Sequence, residues 1–195
     1  CEAMIVDCKK KYKDVALGQL IQECDERNSG AIDYPFYGIN KDKTFMPTVA
    51  DTNKLDNSKY KLVKKDIFVF SGMQTGRDVC IRIALQNKED IILVSPAYTT
   101  FRVKDIDKII PPYLFLQFSR YEMDRLGWFL SDGSIRSNLD WNRFCEIKIP
   151  LPPIAVQQSI VNVYHCIEEA RRIAERARNE MRTLCPALIQ KAIHA

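Results

Sequence analysis

Two short motifs in this sequence contain residue types that could carry out catalysis, and neither is complete. Glu146-Ile147-Lys148 has the carboxylate and lysine spacing of a metal-dependent nuclease, for which Asp132 or Asp140 would supply a further metal ligand. On an alternating strand, however, Glu146 and Lys148 would both point to solvent, opposite the apolar face. This second interpretation is favoured, because such a triplet is expected by chance in a chain with 28% charged residues.

The other motif, Ser95-Pro96-Ala97-Tyr98, differs by one residue from the amino-methyltransferase pattern of a small polar residue, two prolines and an aromatic residue. That chemistry also needs a glycine-rich turn to hold its cofactor, and the chain contains no G-x-G. The P-loop, G-x-S-x-G and H-E-x-x-H motifs are absent as well. Since both histidines, His165 and His194, lie in the C-terminal tail, we expect no general acid-base catalysis by histidine, and we expect no cofactor.

Metal binding and membrane insertion are equally disfavoured by the sequence. Its seven cysteines are scattered without a CxxC pair, which predicts reduced, mostly buried thiols and no metal site: Cys1, Cys8, Cys24, Cys80, Cys145, Cys166 and Cys185. The sequence shows no membrane span and no signal peptide, so we expect a cytoplasmic protein. A net charge of +4 is compatible with a nucleic-acid partner, but any DNA-binding charge must be local.

The pattern of apolar residues predicts an α+β fold with a β-rich body, and the three residues ahead of Met4 are given no role in it. A short amphipathic helix is expected at Leu17–Cys24, before an irregular stretch from Gly30 to Ser58. The remaining predicted elements are strands around 66–69 and 79–85, a strand at 90–94 buried on both faces, a strand at 98–103, a helix from Pro111 to Leu126 stopped by Gly127, and a strand at 147–151.

The C-terminal segment carries an apolar seam that a long helix needs only if it packs against a partner helix. Its members recur at alternating steps of three and four: Ile160, Val163, Ile167, Ala170, Ala174, Ala177, Met181, Leu184 and Leu188. About thirty residues at 1.5 Å each would form an arm of roughly 45 Å. Pro186 predicts a kink or an end of the regular helix near Leu184. The alternative is a helix that folds back onto its own domain.

Several segments, in this order and spacing, make the sequence resemble the DNA specificity subunit of type I restriction-modification systems, from about Val15 to the end. The most specific is the proline-rich junction with its two glutamines, and the Ser-Pro-Ala-Tyr turn is the next. The segments are Tyr60-Lys61-Leu62-Val63, Asp66-Ile67-Phe68-Val69-Phe70, Val94-Ser95-Pro96-Ala97-Tyr98 with Phe101, Pro112-Tyr113-Leu114, and Ile149-Pro150-Leu151-Pro152-Pro153-Ile154 with Gln157-Gln158 and Ile160-Val161.

This resemblance implies a non-catalytic subunit with two target recognition domains, each followed by a long helix. The two helices pack antiparallel as a ruler between two DNA half-sites, and the subunit joins methyltransferase and restriction subunits. In the present sequence we expect one recognition domain at 1–150 and one coiled-coil helix, the spacer arm, at 151–195. The arm's partner would be a second copy, giving a homodimer and an interrupted palindromic site, or the missing half of a longer subunit.

Base readout is expected on irregular segments rich in side chains that can address base edges. Three segments qualify, with Arg77 the leading candidate, and for each the alternative is a solvated turn. The candidate DNA-binding residues are Asn40, Lys41, Lys43 and Thr44; Gln74, Thr75 and Arg77; and Ser131, Ser134 and Arg136. Arg102, Arg120 and Arg125 could contact phosphates or cover apolar surface. The rival functions are a nuclease using Asp140, Glu146 and Lys148, and a coiled-coil interaction module without a DNA role.

Overall fold

A computed structural model describes residues 2–48, 55–134 and 136–193, with side chains of the last helix described through 182 and at 184. Cys1, the side chains of Cys185, Pro186 and Leu188, and His194 therefore lie outside the described residues. The elements in chain order are α1 (Glu2–Lys11), β1 (Asp14–Ala16), α2 (Leu17–Leu20), β2 (Ile21–Cys24), β3 (Phe36–Ile39), β4 (Phe45–Pro47), a 3-10 turn (Asn57–Lys59), β5 (Lys61–Val63), β6 (Phe68–Ser71), α3 (Thr75–Asp78), β7 (Arg82–Leu85), β8 (Ile92–Val94), β9 (Thr99–Val103), α4 (Pro111–Phe118), α5 (Tyr121–Leu130), α6 (Trp141–Glu146), β10 (Lys148–Pro150) and α7 (Ile154–Ile193).

Two four-stranded sheets and one two-stranded pair form the body, which confirms the α+β prediction. The first sheet has the order β2-β9-β6-β7 and is antiparallel throughout. The second has the order β4-β3-β8-β5, in which β3 and β8 are parallel. Strands β1 and β10 pair antiparallel, so the start of the domain is joined to the strand that precedes the last helix.

Strand β6 separates the two apolar clusters of the core. Phe68 and Phe70 enter the larger cluster, where Phe68 stacks on Phe101 at 4.8 Å and Phe70 on Phe144 at 4.3 Å between ring centroids. Val69 points the opposite way, into the smaller cluster. All four residues of β6 are consequently buried. Strand β8 is also buried along its length, and β8, β9 and β10 confirm the strands predicted at 90–94, 98–103 and 147–151.

The N-terminal predictions need two corrections. Helix α1 includes Glu2 and Ala3, so withholding a fold role from the first residues was wrong for these two. They complete the first turn of α1 ahead of Ile5 and Cys8, which are the buried residues of this helix. Two buried positions in a lysine-rich segment are too few to reveal a helical pattern in the sequence. The helix predicted for Leu17–Cys24 ends at Leu20, because the following four residues pair with β9 as a strand.

Further corrections concern turns and helix ends. The stretch predicted as irregular contains the β3–β4 hairpin. The first residue of the strand predicted at 79–85 caps α3 in a left-handed conformation instead, with Val79 at φ 48°. The helix predicted from Pro111 divides into α4 and α5 at Ser119-Arg120, and Gly127 lies inside α5. A Cβ at Gly127 would lie 2.4 Å from Cγ1 of Ile81, so this glycine permits close packing and does not end the helix.

Helix α7 leaves the body after its first turns. Ile160 and Val161 are buried against the domain, whereas every residue from 169 to 182 is exposed. The alternative of a helix folded back onto its own domain is therefore wrong for this described part. The helix continues to Ile193, so the predicted end near Leu184 is wrong, whereas the alternative of a kink at Pro186 stays a prediction. A proline removes one hydrogen bond from the ladder, and here the helical backbone continues on both sides of it.

Candidate nucleic-acid interface

The three segments predicted from the sequence, 40–44, 74–78 and 131–136, lie next to one another in the folded protein. Together with residues 137 and 138, and without residue 135, which is not described, they form what we call the polar face. The β3–β4 loop reaches the second segment where Lys41 Nζ lies 3.4 Å from Asp78 Oδ1. The second segment reaches the third where the Gly76 amide donates to the Ser137 carbonyl at 2.9 Å. Segments that are far apart in the sequence therefore present their side chains on one surface.

Asp78 is the ion-pairing centre of this face. Its carboxylate accepts from Arg77 Nε at 3.1 Å and from Arg82, and its side chain is only 5% exposed. Burial would raise the pKa of Asp78, but the hydrogen bonds from Arg77 and Arg82 and their charges outweigh it, so the pKa lies below its ordinary value. A carboxylate held ionised in this way keeps the Arg77 guanidinium, itself 56% exposed, at a defined place on the surface.

Two candidate residues prove to be interior, which is a correction to the sequence prediction. Lys43 is 8% exposed, and its Nζ donates to both carboxylate oxygens of Asp124 at 2.8 and 3.0 Å and to the Ile81 carbonyl at 3.0 Å. Thr75 is fully buried and its hydroxyl donates to the Gly72 carbonyl at 3.0 Å. Neither can reach a base, since both side chains are consumed in holding the loops.

The third segment is ordered by its own short polar side chains. Asp132 Oδ1 accepts from the Ser134 hydroxyl at 2.6 Å and from the Asn138 amide at 3.0 Å, while the Ser131 hydroxyl donates to the Gly127 carbonyl at 2.8 Å. These contacts and the charge of Arg143 lower the pKa of Asp132, led by the Ser134 hydrogen bond and opposed in part by desolvation. A Cβ at Gly76 would approach Ser137 Cβ to 2.6 Å, so the segment packs closely on α3.

The side chains left exposed on the polar face carry both signs of charge, because the carboxylates of Asp42 and Asp132 are exposed beside three cations. Lys41, Arg77, Ser134 and Arg136 are exposed, as is Thr44, while Gln74 and Asn40 are half-buried. The Asn40 amide is used within its own turn, where it donates to the Thr44 hydroxyl at 2.7 Å and accepts from the Thr44 amide at 2.9 Å. Gln74 Oε1 accepts from Arg77 at 2.6 Å. The exposed cations of this surface are the groups that can address phosphates and base edges.

Sequence reasoning missed the residues that join the segments. Asn138 Oδ1 accepts from the Gln74 amide at 3.2 Å, and Asp124 anchors the β3–β4 loop through Lys43. The sequence gives no signal for either contact, because each partner is more than sixty positions away. Of the other arginines, Arg102 and Arg125 are exposed and Arg120 is half-buried.

The residues of the incomplete nuclease motif have structural positions. Asp140 caps α6, where its Oδ1 accepts from the amides of Asn142 at 2.8 Å and Arg143 at 3.0 Å. Glu146 and Lys148 are both exposed on either side of the buried Ile147, as the alternating pattern predicted. In the described part of the chain, no three His, Cys, Asp or Glu side chains are grouped closely enough to hold a metal ion.

The described cysteines are free thiols that range from buried to exposed. Cys8 and Cys80 are buried, Cys24 and Cys145 are half-buried, and Cys166 is exposed on the arm. Burial raises the pKa of each of the first four thiols, so they are predominantly protonated. None of the helices within the described ranges is both long enough and apolar enough to cross a membrane.

The motif at the base of the arm joins α7 to the body. Gln157 is fully buried; its Nε2 donates to the carbonyls of Lys108 and Pro152, each at 2.8 Å, and its Oε1 accepts from the Ile110 amide at 3.0 Å. The Tyr113 hydroxyl donates to the Pro150 carbonyl at 2.9 Å, and burial strongly raises its pKa. These bonds fix the first turn of α7 on the start of α4.

The Ser95-Pro96-Ala97-Tyr98 segment is a turn between β8 and β9. The Tyr98 amide donates to the Ser95 carbonyl at 3.1 Å, and the Ala97 amide donates to the Ser95 hydroxyl at 3.2 Å. The Ser95 hydroxyl therefore accepts a hydrogen bond within the turn, and the turn joins two strands of the body.

Comparison with solved structures finds the same fold in proteins of type I systems. A chain from a study of complex assembly and conformational transition of the type I R-M system has a TM-score of 0.56 at 15% identity, with 92% of this chain and 46% of that chain covered. The HsdS subunit from Thermoanaerobacter tengcongensis has a TM-score of 0.50 at 16% identity, covering 90% and 45% respectively. The type I S subunit from M. genitalium has a TM-score of 0.50 at 16% identity, covering 87% and 42%.

At these identities the likeness concerns the fold, and the present chain spans less than half the length of each of these proteins. No curated protein matches the chain. The sequence profile of the type I restriction modification DNA specificity domain, however, matches residues 9–181, which include the polar face, the Gln157 junction and most of the arm. The chain therefore belongs to the type I restriction modification DNA specificity domain family.

Proposed function

We propose that this chain reads one half of a bipartite DNA site for a type I restriction-modification complex, without catalysis of its own. Residues 1–150 act as the target recognition domain, and residues 151–195 act as the spacer arm. Methyltransferase and restriction subunits dock on the assembled specificity subunit. The chain's family membership supports this role, and the polar face is the observation that carries it.

The polar face suits DNA because its exposed groups can address base edges and phosphates. The Arg77 guanidinium can donate two parallel hydrogen bonds to guanine O6 and N7. The exposed side chains of Lys41 and Arg136 would neutralise phosphates, which would orient the duplex. Lys43 and Thr75 contribute indirectly, since their buried contacts hold the loops that carry the reading side chains.

The arm supports pairing with a second copy. Its described seam beyond Ile160 is exposed, with Val163 at 40%, Ile167 at 37%, Met181 at 62% and Leu184 at 58%. A two-fold antiparallel pair of arms would bury these side chains and place two recognition domains at opposite ends. The expected DNA target is then an interrupted palindrome.

Arg77→Ala tests the DNA-reading role. In complex with its methyltransferase subunit, the variant should lose about 1 to 3 kcal/mol of specific binding, or about 5- to 150-fold, with little change in non-specific binding. The site comes from methylation mapping in the host, and the measurement is competition between DNA with and without it. Arg77→Lys is the matched control, because it keeps the charge and removes the two-pronged donor.

Loss of site preference in both variants supports base reading, whereas full activity of Arg77→Lys would reduce Arg77 to a phosphate contact. Unchanged preference in Arg77→Ala would contradict the assignment. If the wild-type complex shifts no DNA at all, a coiled-coil interaction module becomes the better description. Metal-dependent cleavage by the purified chain, lost in Glu146→Ala, would instead favour the nuclease.

A further inference from the structure

In the part of the arm whose side chains are described, the exposed apolar surface includes one large residue that is not on the seam. Ile173 is 57% exposed and immediately precedes Ala174 on the seam. It lies on one flank of the seam together with Cys166 and Glu180, while Tyr164, Arg171 and Arg178 lie on the other. A partner for the arm has to account for the seam and for Ile173 together.

Symmetry restricts how two copies of the arm can meet. The two-fold axis of an antiparallel pair runs perpendicular to both helices, and rotation about it leaves each flank on its own side. The flank that carries Ile173 therefore faces the same flank of the partner, and the arginine flank faces the partner's arginines. Each layer of the paired seam contains one residue from each helix, and the two residues lie at equal distances on opposite sides of the axis. The residue at the level of the axis therefore determines the whole register.

We propose that the arm pairs with a second copy about a two-fold axis beside Arg172; this proposal rests on the antiparallel pairing proposed above. Six described seam residues are then matched with one another, and Leu184 lies level with the partner's Ile160, which is buried at the base of its own arm. The layers are Val163 with the partner's Met181, Ile167 with the partner's Ala177, and Ala170 with the partner's Ala174. Bulky residues lie in the outer layers and the two smallest pairs lie at the centre, where the helices approach most closely.

Ile173 favours this register over its neighbours. Beside the axis at Arg172, Ile173 contacts the partner's Ile173 and its apolar surface is buried. On the opposite flank, Arg178 reaches the partner's Tyr164, where a guanidinium can stack on the aromatic ring.

A shift of the axis by half a heptad toward the C-terminus would place Arg171 beside the partner's Arg178, twice by symmetry, and Ile173 beside the partner's Glu180. The first change brings like charges together, and the second sets an apolar side chain beside a charged carboxylate, so both are unfavourable. A shift the other way would place Ala177 beside the partner's buried Ile160 and would leave both Met181 and Leu184 beyond the partner's exposed seam. The proposed register leaves only Leu184 there.

One like-charge contact remains in the proposed register, between Arg171 and the partner's Arg171. Each of these guanidinium groups already has a carboxylate partner on its own helix, because Arg171 Nη1 lies 2.8 Å from Glu168 Oε1. Arg172 is paired in the same way with Glu169 at 2.7 Å. The centre of the pair therefore brings together ion pairs and not bare cations.

The register sets the separation of the two recognition domains. From Ile154, the first residue of α7, to Arg172 the helix rises about 27 Å, so the two junctions lie about 54 Å apart. At about 3.4 Å per base pair this corresponds to roughly 16 base pairs of duplex. The arm is then a ruler whose length depends on a single axis position.

Cysteine cross-linking of the full-length chain tests the register. In a Cys166→Ser background, Ile173→Cys should form a covalent dimer with itself on mild oxidation. Ala170→Cys mixed with a size-tagged Ala174→Cys should form the mixed dimer. The matched control is Ala174→Cys mixed with Ala177→Cys, which has equally small seam residues and should cross-link at least tenfold less.

Preferential linking of the control mixture would overturn the axis at Arg172 while leaving antiparallel pairing intact. If no variant cross-links and sedimentation shows a monomer at high concentration, the pairing itself fails, and with it both the register and the proposed homodimer. Cross-linking of Ile173→Cys and the 170/174 mixture, with the control mixture unlinked, would establish the register.

Discussion

Replacement of Gln157 by leucine tests whether the family's glutamine motif is a structural clamp between the arm and the body. The wild-type amide makes three hydrogen bonds of 2.8 to 3.0 Å in a fully buried position. Leucine has a similar size but no polar atoms, so the carbonyls of Lys108 and Pro152 and the amide of Ile110 would all lose this partner.

The expected loss follows from the number of bonds. A buried neutral hydrogen bond contributes about 1 kcal/mol net, so three give a destabilisation of about 3 kcal/mol, reduced somewhat by the greater apolarity of leucine. For a chain of this size each kcal/mol lowers the melting temperature by about 2 to 4 °C. We therefore expect Gln157→Leu to melt about 6 to 12 °C below the wild type.

Gln158→Leu is the matched control on the neighbouring position. Gln158 is exposed and its amide contacts only Asn162 on the same helix, at 2.9 Å, so its replacement should cost less than about 0.5 kcal/mol. Urea unfolding should be followed by tryptophan fluorescence, because Trp141 packs in the main core against Phe144 at 5.3 Å between ring centroids. The fluorescence then reports the body and not the arm.

Equal stability of Gln157→Leu and Gln158→Leu would refute the clamp. It would mean that the three backbone groups find water when the amide is removed, and that the junction does not depend on Gln157. A loss in Gln157→Leu alone would show that the base of the arm is specified by buried hydrogen bonds as well as by apolar packing.

Three further predictions follow from buried charge, ionisation and the exposed seam. Lys43→Met should cost about 3 to 5 kcal/mol in urea unfolding, because it removes the cation paired with the carboxylate of Asp124. Lys43→Met/Asp124→Leu should regain part of that loss, since it also removes the bond from the Ile81 amide to Asp124. The pKa of Asp78 is lowered in the folded protein, so its ionised contacts stabilise the fold at pH values above about 3.9, the ordinary pKa of an aspartate. This stabilisation is lost as the pH falls through the pKa of Asp78 in the folded protein. The stability advantage of the wild type over Asp78→Asn, measured by urea unfolding across this range, should therefore shrink in acid. Ala174→Glu/Ala177→Glu should sediment as a monomer, because it buries two like charges in the seam of each copy.

Controls separate these effects from general perturbation. Lys41→Met removes a lysine that is 60% exposed and should change stability by less than about 0.5 kcal/mol. Arg176→Glu changes the net charge as much as the double alanine variant but on the side of α7 away from the seam, so it should remain a dimer. A stable Lys43→Met protein, a constant Asp78→Asn difference in acid, or a dimeric double variant would each contradict the corresponding prediction.

Elements with a strong local pattern could be predicted from the sequence. The run at 90–94 is apolar without alternation, and it forms a strand buried on both faces. The heptad spacing from Ile160 onward predicted a long helix with a free apolar seam, and the exposed side chains of Val163 and Met181 agree with it. The residues of the junction motif identified the family before their contacts were known.

Contacts between distant segments could not be predicted in the same way. Lys43 was predicted to contact DNA because it lies in an irregular polar segment, where a lysine can address base edges. Its burial depends on Asp124, which is 81 positions away and approaches only when the β3–β4 loop packs on α5. Gly127 was predicted to end a helix because glycine is common at helix ends. Its actual role is to let Ile81 pack against α5, and the sequence does not show that contact.

The sequence by itself determined the class of the protein, the arm with its seam, and the three segments from which the polar face is built. These properties depend on residue type and on spacings of two to seven positions, which the chain contains locally. The tertiary structure decided that the three segments share one face, that Lys43 and Thr75 hold it from inside, and that Ile160 belongs to the body. Those outcomes depend on burial, and burial is a property of the packed chain that no short segment specifies alone.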